Sequence, residues 1–263
     1  MRADIYLFQN GYTKSRKKAQ DAISEGCVTI DGKVIVKSSF DIDESLPHTV
    51  SVEETCPYVG RGGLKLEGAL NLFHISPKDK VAVDIGASTG GFTDCLLKRG
   101  ASRVYAIDAG YGQLAESLLG DPRVVSIERF NARELTVDTI GEACDLAVMD
   151  VSFISQTYIL PGVASVLKHG GHFISLIKPQ FEAGKSAIGK HGIVRNAAYR
   201  FLAVKRVISA AAPLGLMCIG LMRSPIKGGD GNIEYLALFE MRTDPVVLSP
   251  SIDLQIRKVT TPD

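Results

Sequence analysis

From Lys80 onward, short apolar segments alternate with helix-like segments, and this alternation limits the fold more than any other feature of the sequence. The apolar segments include VAVDIG, RVYAID, DLAVMD and HFISLI. Alternation of this kind predicts an α/β domain whose sheet is doubly wound and largely parallel. The last two apolar segments, LMCIGLMR and NIEYLALFE, are joined by a loop too short for a parallel crossover, so we expect them to pair antiparallel.

Residues 1–56 predict a separate, small α+β module. Asp4 is placed to cap the first of two short helices, and Ser15 to cap the second. Two short apolar segments then flank the pair Asp31 and Gly32, which favours the tight turn of a β-hairpin. The other boundaries follow from the glycine run and from the extent of the alternation: a linker over 57–63, the α/β domain over 64–243 and a C-terminal tail over 244–263.

Composition narrows the class of protein. The net charge of the 263 residues is +1, so overall charge does not point to a nucleic-acid partner. No apolar run reaches the roughly 18 residues that a membrane helix needs, and the N-terminus lacks the pattern of a signal peptide. We therefore expect a cytoplasmic protein without membrane association. The five cysteines show no metal-ligand spacing, so we expect no metal site.

The ends of the first three predicted strands carry the residues of an adenosine site. The first strand ends in the glycine-rich turn DIGASTGGFTD, the second in Asp108, and the third near Asn131. Ligands of such sheets bind at the carboxyl ends of the strands, and a carboxylate there can accept the hydroxyls of a ribose. Ser88 replaces the second glycine of a dinucleotide fingerprint, which favours S-adenosylmethionine over NAD. The predicted cofactor-binding residues are Asp84, Gly86, Ala87, Ser88, Thr89, Gly90, Gly91, Phe92, Thr93, Asp108, Asn131 and Asp150.

Four charged residues are predicted to meet beside this site. Asp150 and Lys178 end two strands, and Glu234 lies at the start of a strand that runs the opposite way. Lys65, on the helix before the first strand, can reach the same edge. A cluster of structural ion pairs is one interpretation, and a catalytic group is the other, since charged groups with perturbed ionisation collect at functional sites.

Basic residues cluster at the start of the second predicted helix, where Lys14, Arg16, Lys17 and Lys18 follow one another closely. A solvated helix face and a phosphate-binding surface both fit this cluster. A second basic segment is the glycine-rich loop 179–196, which we expect to be mobile. The basic residues of both segments, of the N-terminus and of the linker that could contact phosphate are Arg2, Lys14, Arg16, Lys17, Lys18, Arg61, Lys185 and Lys190.

Two resemblances connect these features. The SR-x-x-A…G-x-V…DGK pattern of the first module resembles the S4 RNA-binding domain. The order K…DxG…D…K…E resembles FtsJ-like ribose 2′-O-methyltransferases, and the segments VGRGGLKL, DIGASTGGFTD, DVSFIS and IKPQFE make the chain similar to the TlyA family of rRNA methyltransferases, some of which are labelled hemolysins. The resemblance implies a Rossmann-like class I methyltransferase sheet and S-adenosylmethionine as cofactor. It also implies ribosomal RNA or a ribosomal subunit as partner, with cytidine as target. The basic residues named above are then the predicted RNA-binding residues, and we expect the loop 179–196 to close over RNA.

The same resemblance implies roles for the four charged residues. Lys178 would be the base that deprotonates a ribose hydroxyl, a step that needs its amine in the neutral form. Asp150 would orient Lys178, and Glu234 would orient Lys65 or the ribose. The alternatives are a membrane-active hemolysin, an RNA-binding assembly factor without catalytic activity, and an NAD enzyme.

Overall fold

The structure is a computed structural model that describes residues 1–24, 27–52, 56–189, 192–228, 231–243, 248–249 and 251–261. The chain divides into two compact units, Met1–Arg61 and Gly62–Asp263. In the described part of the chain, no helix is both long enough and apolar enough to cross a membrane.

The first unit packs two helices against a three-stranded antiparallel sheet. Its elements are α1 (Ala3–Gln9), α2 (Arg16–Ser24), β1 (Val28–Ile30), β2 (Lys33–Val34) and β3 (Val50–Val52), with strand order β2-β1-β3. Its core contains Leu7, Ile23 and Val28, all fully buried. Asp31 and Gly32 both have positive φ, as the predicted turn between β1 and β2 requires.

Asp4 is not the helix cap that its position in the sequence suggests. Helix α1 begins earlier than predicted, with Arg2 as its N-cap, and Asp4 lies fully buried in the first turn. The prediction for the second helix is confirmed, since Ser15 Oγ accepts a hydrogen bond from the backbone N–H of Lys18. Strand β3 was not predicted, because VSV is too short to show alternation.

The second unit is a seven-stranded sheet with helices on both faces. Its elements are α3 (Gly62–Leu72), β4 (Val81–Ile85), α4 (Gly91–Lys98), β5 (Arg103–Ile107), α5 (Glu116–Leu119), β6 (Val124–Ile127), α6 (Val137–Ile140), β7 (Cys144–Met149), α7 (Leu160–Val166), β8 (Leu167–Ile177), α8 (Pro179–Glu182), α9 (Ala197–Ala211), β9 (Leu216–Arg223), β10 (Tyr235–Met241) and α10 (Ile252–Thr260). The strand order is β6-β5-β4-β7-β8-β10-β9. The first five strands in this order pair parallel, and β10 pairs antiparallel with both of its neighbours, as predicted.

The central strands are buried on both faces, which explains their continuous apolar runs. Residues 82–85 of β4 and 173–177 of β8 have no exposure to solvent. Parallel strands end on one side of a sheet, here called the carboxyl edge. Because β10 runs the other way, its first residue Tyr235 pairs with Ile177, the last residue of β8. The residues before β10 therefore lie at the carboxyl edge.

Several elements differ in extent from the prediction. Helix α3 begins at Gly62, so the last two residues of the predicted linker are helical, and β8 begins at Leu167 rather than His172. The predicted tail contains α10, whose buried Ile256 belongs to the main core. The predicted loop 179–196 opens with α8, and Pro179 is the first residue of that helix. Strand β8 ends at Ile177, two residues before this proline, which has no N–H to continue the strand ladder.

Candidate active site

A cavity of about 410 Å³ opens at the carboxyl edge, where β4, β5, β6 and β7 end. This volume lies in the range of small-molecule and cofactor pockets. The ends of four strands contribute to the cavity wall. The loop after β7 contributes five consecutive residues, 150–154. The lining residues are Gly86, Ser88, Ile107, Asp108, Ala109, Gln113, Phe130, Asn131, Ala132, Asp150, Val151, Ser152, Phe153, Ile154 and Ile159.

The glycine-rich turn after β4 is held in place by its neighbours on both sides. Gly86 has a φ of +84°, and a Cβ at this position would lie 2.7 Å from the backbone oxygen of Asp150. On the other side, the two carboxylate oxygens of Asp108 accept hydrogen bonds from the backbone N–H groups of Ser88 (2.8 Å) and Gly110 (2.6 Å). The ends of β4, β5 and β7 thus form one rigid wall of the cavity.

The structure brings five of the predicted cofactor residues to the wall of the cavity: Gly86, Ser88, Asp108, Asn131 and Asp150. The other predicted residues are not part of the lining. Gly91, Phe92 and Thr93 form the buried first turn of α4, and Asp84 lies fully buried in β4. Asn131 also caps the 3-10 helix Ala132–Glu134 through its side-chain oxygen, so its amide is partly engaged.

Asp84 is a buried carboxylate with one oxygen free. Its Oδ2 accepts a hydrogen bond from the hydroxyl of Thr93 at 2.7 Å, whereas Oδ1 has no hydrogen-bond partner. Burial raises the pKa of Asp84 to about 7, and the nearby charge of Asp150 adds to this effect. An unpartnered buried polar oxygen is costly unless a ligand or water satisfies it. Asp84 therefore carries an unsatisfied acceptor at the end of β4, next to the glycine-rich turn.

Lys178 meets Asp150 at the mouth of the cavity. Lys178 Nζ lies 2.6 Å from Asp150 Oδ1 and donates a hydrogen bond to Ser152 Oγ at 2.8 Å. These residues follow β8 and β7, which are adjacent and parallel. The lysine at the end of a buried strand is thus paired with a carboxylate, which offsets much of the cost of its burial.

A second ion pair joins helix α3 to the residue just before β10. Lys65 Nζ donates to Glu234 Oε2 at 2.6 Å, and both residues are buried. The last printed pair between β8 and β10 is Ile177 with Tyr235, and Lys178 and Glu234 are the next residues beyond it at the carboxyl edge. A Cβ added at Gly62, in the first turn of the helix that carries Lys65, would lie 3.7 Å from Asp150 Oδ2. The four predicted charged residues therefore gather at one edge as two ion pairs.

Most of the predicted RNA-binding residues of the first unit are exposed, either on α2 or just before α1 and α2. Arg2 and Arg16 both donate through Nε to the buried carboxylate of Asp4, at 3.0 and 2.9 Å. Lys17 forms an exposed ion pair with Asp21, and Lys14 and Lys18 are exposed. Arg61 is partly buried at the end of this unit. Lys190 and the side chain of Lys185 lie outside the described residues.

Sequence reasoning missed most of the loop between β7 and α7. Val151, Ser152, Phe153 and Ile154 line the cavity, and Phe153 has a positive φ and an exposed fraction of 91%. The segment DVSFIS contains all four, so the motif gave the location. The hydroxyl contact from Ser152 to Lys178 depends on strand register, which the motif does not show.

Comparisons with known proteins agree with both units. The model of the S4 domain matches residues 1–46, and the model of the FtsJ-like methyltransferases matches residues 58–241. The second match covers more than half of the chain.

Relatives match over nearly the full length. An rRNA methyltransferase candidate of Bacillus subtilis strain 168, YqxC, is 48% identical over 89% of this chain and 84% of its own. The 16S/23S rRNA (cytidine-2′-O)-methyltransferase TlyA of Mycobacterium tuberculosis strain H37Rv is 41% identical over 96% of this chain and 94% of its own. The solved structure of a candidate hemolysin from Streptococcus thermophilus is 40% identical, with a TM-score of 0.76 and coverage of 98% and 94%. The chain belongs to the TlyA family, in which an S4 domain precedes an FtsJ-like methyltransferase domain.

Proposed function

We propose that this protein transfers a methyl group from S-adenosylmethionine to a ribose 2′-hydroxyl of ribosomal RNA, at a cytidine. The observation that carries the proposal is the pair of ion pairs Lys178–Asp150 and Lys65–Glu234 beside a cofactor-sized cavity. The family match supports methyl transfer, and the M. tuberculosis relative, named for cytidine-2′-O-methylation of rRNA, supports the nucleoside.

The residues of the cavity fit S-adenosylmethionine. Asp108 would hold the ribose through the lone pairs that its two backbone hydrogen bonds leave unused. Phe130, Ile154 and Ile159 offer an apolar surface for the adenine ring, and Asn131 a polar edge. The free Oδ1 of Asp84 would accept a hydrogen bond from a cationic group of the cofactor. When bound, the cofactor supplies an electrophilic methyl group on its sulfonium.

Lys178 is the proposed base. Nζ of a neutral Lys178 would take the proton of the ribose 2′-hydroxyl as the hydroxyl oxygen attacks the methyl carbon. No metal is required for that proton transfer. Asp150 and Ser152 hold Nζ from two sides, which restricts a side chain that otherwise has four rotatable bonds. Holding the ribose oxygen in line with the methyl carbon and the sulfur that it leaves supplies much of the rate of such reactions.

Lys65 and Glu234 have a different proposed role. Glu234 is almost fully buried and fixes Lys65 Nζ at 2.6 Å. A held cation at the carboxyl edge would orient the ribose through its N–H donors. The pair would then act on substrate geometry, while Lys178 moves the proton.

The first unit is the proposed RNA-binding element. Arg2 and Arg16 each give part of their guanidinium to Asp4, and their side chains remain 45% and 50% exposed. The remaining N–H donors of both are available to phosphate oxygens.

The test is methyl mapping on ribosomal RNA with matched lysine variants. Wild-type protein, S-adenosylmethionine and unmethylated ribosomal subunits should produce 2′-O-methylcytidine at discrete positions. Lys178→Ala should abolish it. Lys168→Ala is the control, since Lys168 lies on the same strand and pairs with Asp145 at 2.7 Å, remote from the carboxyl edge. If Lys178→Ala methylates as wild type does, the proposed role of Lys178 is wrong.

Two further measurements separate the alternatives. Calorimetric titration with S-adenosylmethionine should show binding; a protein that binds RNA but not the cofactor would be an assembly factor. Leakage of dye from liposomes tests the hemolysin label carried by the S. thermophilus relative. Membrane activity predicts leakage by Lys178→Ala as well, whereas methyl transfer predicts none from either protein.

A further inference from the structure

Glu182 is a buried carboxylate outside the two ion pairs. Only 2% of the residue is exposed, and it lies at the end of α8, four residues after Lys178. Its Oε2 accepts a hydrogen bond from Ser155 Oγ at 2.6 Å, and its Oε1 accepts one from the backbone N–H of Gln156 at 2.7 Å. Burial raises the pKa of Glu182, and these two hydrogen bonds act in the opposite direction. The carboxylate therefore connects the segment after β8 with the segment after β7.

Gln156 continues the connection into β8 itself. It is also buried, and its Nε2 donates to the backbone oxygen of Leu176 at 2.6 Å. Its Oε1 accepts a hydrogen bond from the hydroxyl of Ser175. The segment that follows Asp150 is therefore tied to β8–α8 on both sides of Lys178: at Ser175 and Leu176 before it, and at Glu182 after it.

Two other contacts join the same segments. The rings of Phe153 and Phe181 lie 5.2 Å apart, centre to centre. The backbone N–H of Phe181 donates to the carbonyl of Lys178 at 3.0 Å, which fixes the turn that leaves the strand. Contacts of the residues before and after Lys178 thus hold its backbone in place. All the residues that make them lie within six positions of Asp150 or Lys178 in the sequence.

We infer that Glu182 is a positioning residue for the Lys178–Asp150 pair: it fixes the loop after β7 against the segment after β8 and so sets the alignment of Lys178 Nζ. This inference rests on the proposed function for its effect on methyl transfer, but the geometric effect on Lys178 does not depend on it.

A carboxylate is suited to this task for a chemical reason. Ser155 and Gln156 both present donors, so the group between them must accept twice, and a carboxylate accepts through two oxygens in fixed geometry. An apolar side chain of the same size would leave the N–H of Gln156 without an acceptor in the interior. The cost of burying the Glu182 carboxylate is thus offset only while the loop after β7 stays in contact with α8.

Two variants at position 182 separate positioning from packing. Glu182→Gln keeps both contacts, because its amide oxygen accepts from Gln156 and its amide nitrogen donates to the Ser155 hydroxyl, which can also accept. Glu182→Ala removes both. The single-turnover rate of methyl transfer is expected to fall by about 10- to 100-fold in Glu182→Ala, the range for misplacement of a reacting group by about 1 Å, and to stay within about threefold in Glu182→Gln.

A matched control is available at the opposite ends of the strands. Glu142 precedes β7 and accepts from the Tyr105 hydroxyl and from Arg103, both at 2.8 Å. Glu142→Ala also removes a carboxylate with two donors, and it should leave the transfer rate unchanged. Should Glu182→Ala fail to fold, Ser155→Ala removes one of the two hydrogen bonds and is expected to give a smaller loss in the same direction.

A spectroscopic measurement reads the position of Lys178 without any activity. Protein labelled with ¹³C at the lysine ε carbon gives one resonance per lysine, and Lys178→Ala and Lys168→Ala assign the two of interest. Glu182→Ala should shift the Lys178 resonance and leave that of Lys168 unchanged, while Glu182→Gln restores the wild-type spectrum. A purely structural role would move neither resonance or both alike.

The outcomes are distinct. The inference is overturned if folded Glu182→Ala transfers methyl groups within threefold of wild type, or if its Lys178 resonance does not move. If wild-type protein itself transfers no methyl group to ribosomal RNA, the proposed function fails, and the resonance comparison alone then decides whether Glu182 positions Lys178.

Discussion

Lys178 and Asp150 form an ion pair, 2.6 Å from Nζ to Oδ1, where the neighbouring strands β8 and β7 end. At the opposite end of the same two strands, Lys168 and Asp145 form a pair of nearly the same length, 2.7 Å. The difference is exposure: the lysine side chain is 11% exposed in the first pair and 47% in the second. Exposed pairs contribute little to stability, whereas partly buried pairs interact strongly. The exposed Lys168–Asp145 pair is therefore a suitable control for variants of the buried Lys178–Asp150 pair.

Asp150→Asn should inactivate the protein, whereas Asp145→Asn should not. The amide keeps the size of Asp150 but cannot orient Lys178 through a charge. We expect methyl transfer to fall by about 100-fold, because Lys178, the group that takes the proton, is no longer held in place. Single-turnover rates at saturating S-adenosylmethionine measure this. Equal rates for the two asparagine variants would contradict the role assigned to Asp150.

The buried pair of Lys65 and Glu234 should affect stability and activity separately. Glu234→Gln leaves the charge of Lys65 buried beside a neutral amide, and loss of one partner of a buried pair costs about 3–5 kcal/mol of unfolding free energy. The double variant Lys65→Met with Glu234→Leu buries no charge and should regain most of that stability. Urea titration measures the change. Methyl transfer should remain lost in the double variant; recovery of activity would mean that the pair is only structural.

The positions of these charged residues could be predicted because strand order depends on a few rules. Alternation gave the parallel sheet, and the short loop before Asn232 gave the antiparallel last strand, so Asp150, Lys178 and Glu234 had to share one edge. The pairing of Lys178 with Asp150 was implied by the family resemblance, which left Glu234 to orient either Lys65 or the ribose. The prediction needed only the direction of each strand and the residue at which it ends.

Contacts that depend on exact register or on side-chain rotamers could not be predicted. Glu182 and Gln156 are 26 residues apart, and nothing local indicates that they meet. Asp4 has the sequence position of a cap, but the arrival of Arg16 and Gln20 from α2 makes it the acceptor of a buried cluster. In both cases tertiary packing decided between local options that the sequence left equal.

Asp84→Asn should make the cofactor-free protein more stable at pH 8 and weaken its binding of S-adenosylmethionine. The pKa of Asp84 is raised from 3.8 to about 7 in the folded chain, so between these values the folded state binds more protons than the unfolded state. The contribution of Asp84 to the free energy of unfolding is therefore largest below pH 3.8. It decreases as pH rises to 7, by at most about 1.4 kcal/mol per pH unit. Asparagine does not titrate, so Asp84→Asn removes this pH dependence of stability.

The measurement for Asp84 is the melting temperature of wild type and Asp84→Asn from pH 4 to pH 8, without cofactor. The two curves should approach each other at the acid end and separate above pH 5. Loss of a hydrogen bond to a charged group predicts about 10- to 100-fold weaker binding of S-adenosylmethionine at pH 8. Parallel melting curves would show that Asp84 does not titrate in this range.

Asp4 should control how well the first unit binds RNA, although it is buried and cannot touch RNA itself. Burial alone would raise the pKa of Asp4, but hydrogen bonds from Arg2, Gln20 and Arg16 hold it well below its ordinary range. The folded pKa is depressed, so Asp4 contributes stability above pH 3.8, and this contribution is lost as pH falls below that value. At pH 7 the carboxylate is fully charged and fixes both arginines.

Salt dependence of RNA binding tests this arrangement. Each arginine that neutralises one phosphate contributes about 0.7–0.9 to the slope of log K against log salt. Arg2→Gln and Arg16→Gln should each lower the slope by that amount, and Asp4→Asn should weaken binding more than either, because both arginines lose their anchor. Asp43→Asn is the control, since the carboxylate of Asp43 accepts hydrogen bonds from the backbone N–H and the hydroxyl of Ser45. If Asp4→Asn binds RNA as wild type does at every salt concentration, the arginines do not need Asp4 to reach phosphate.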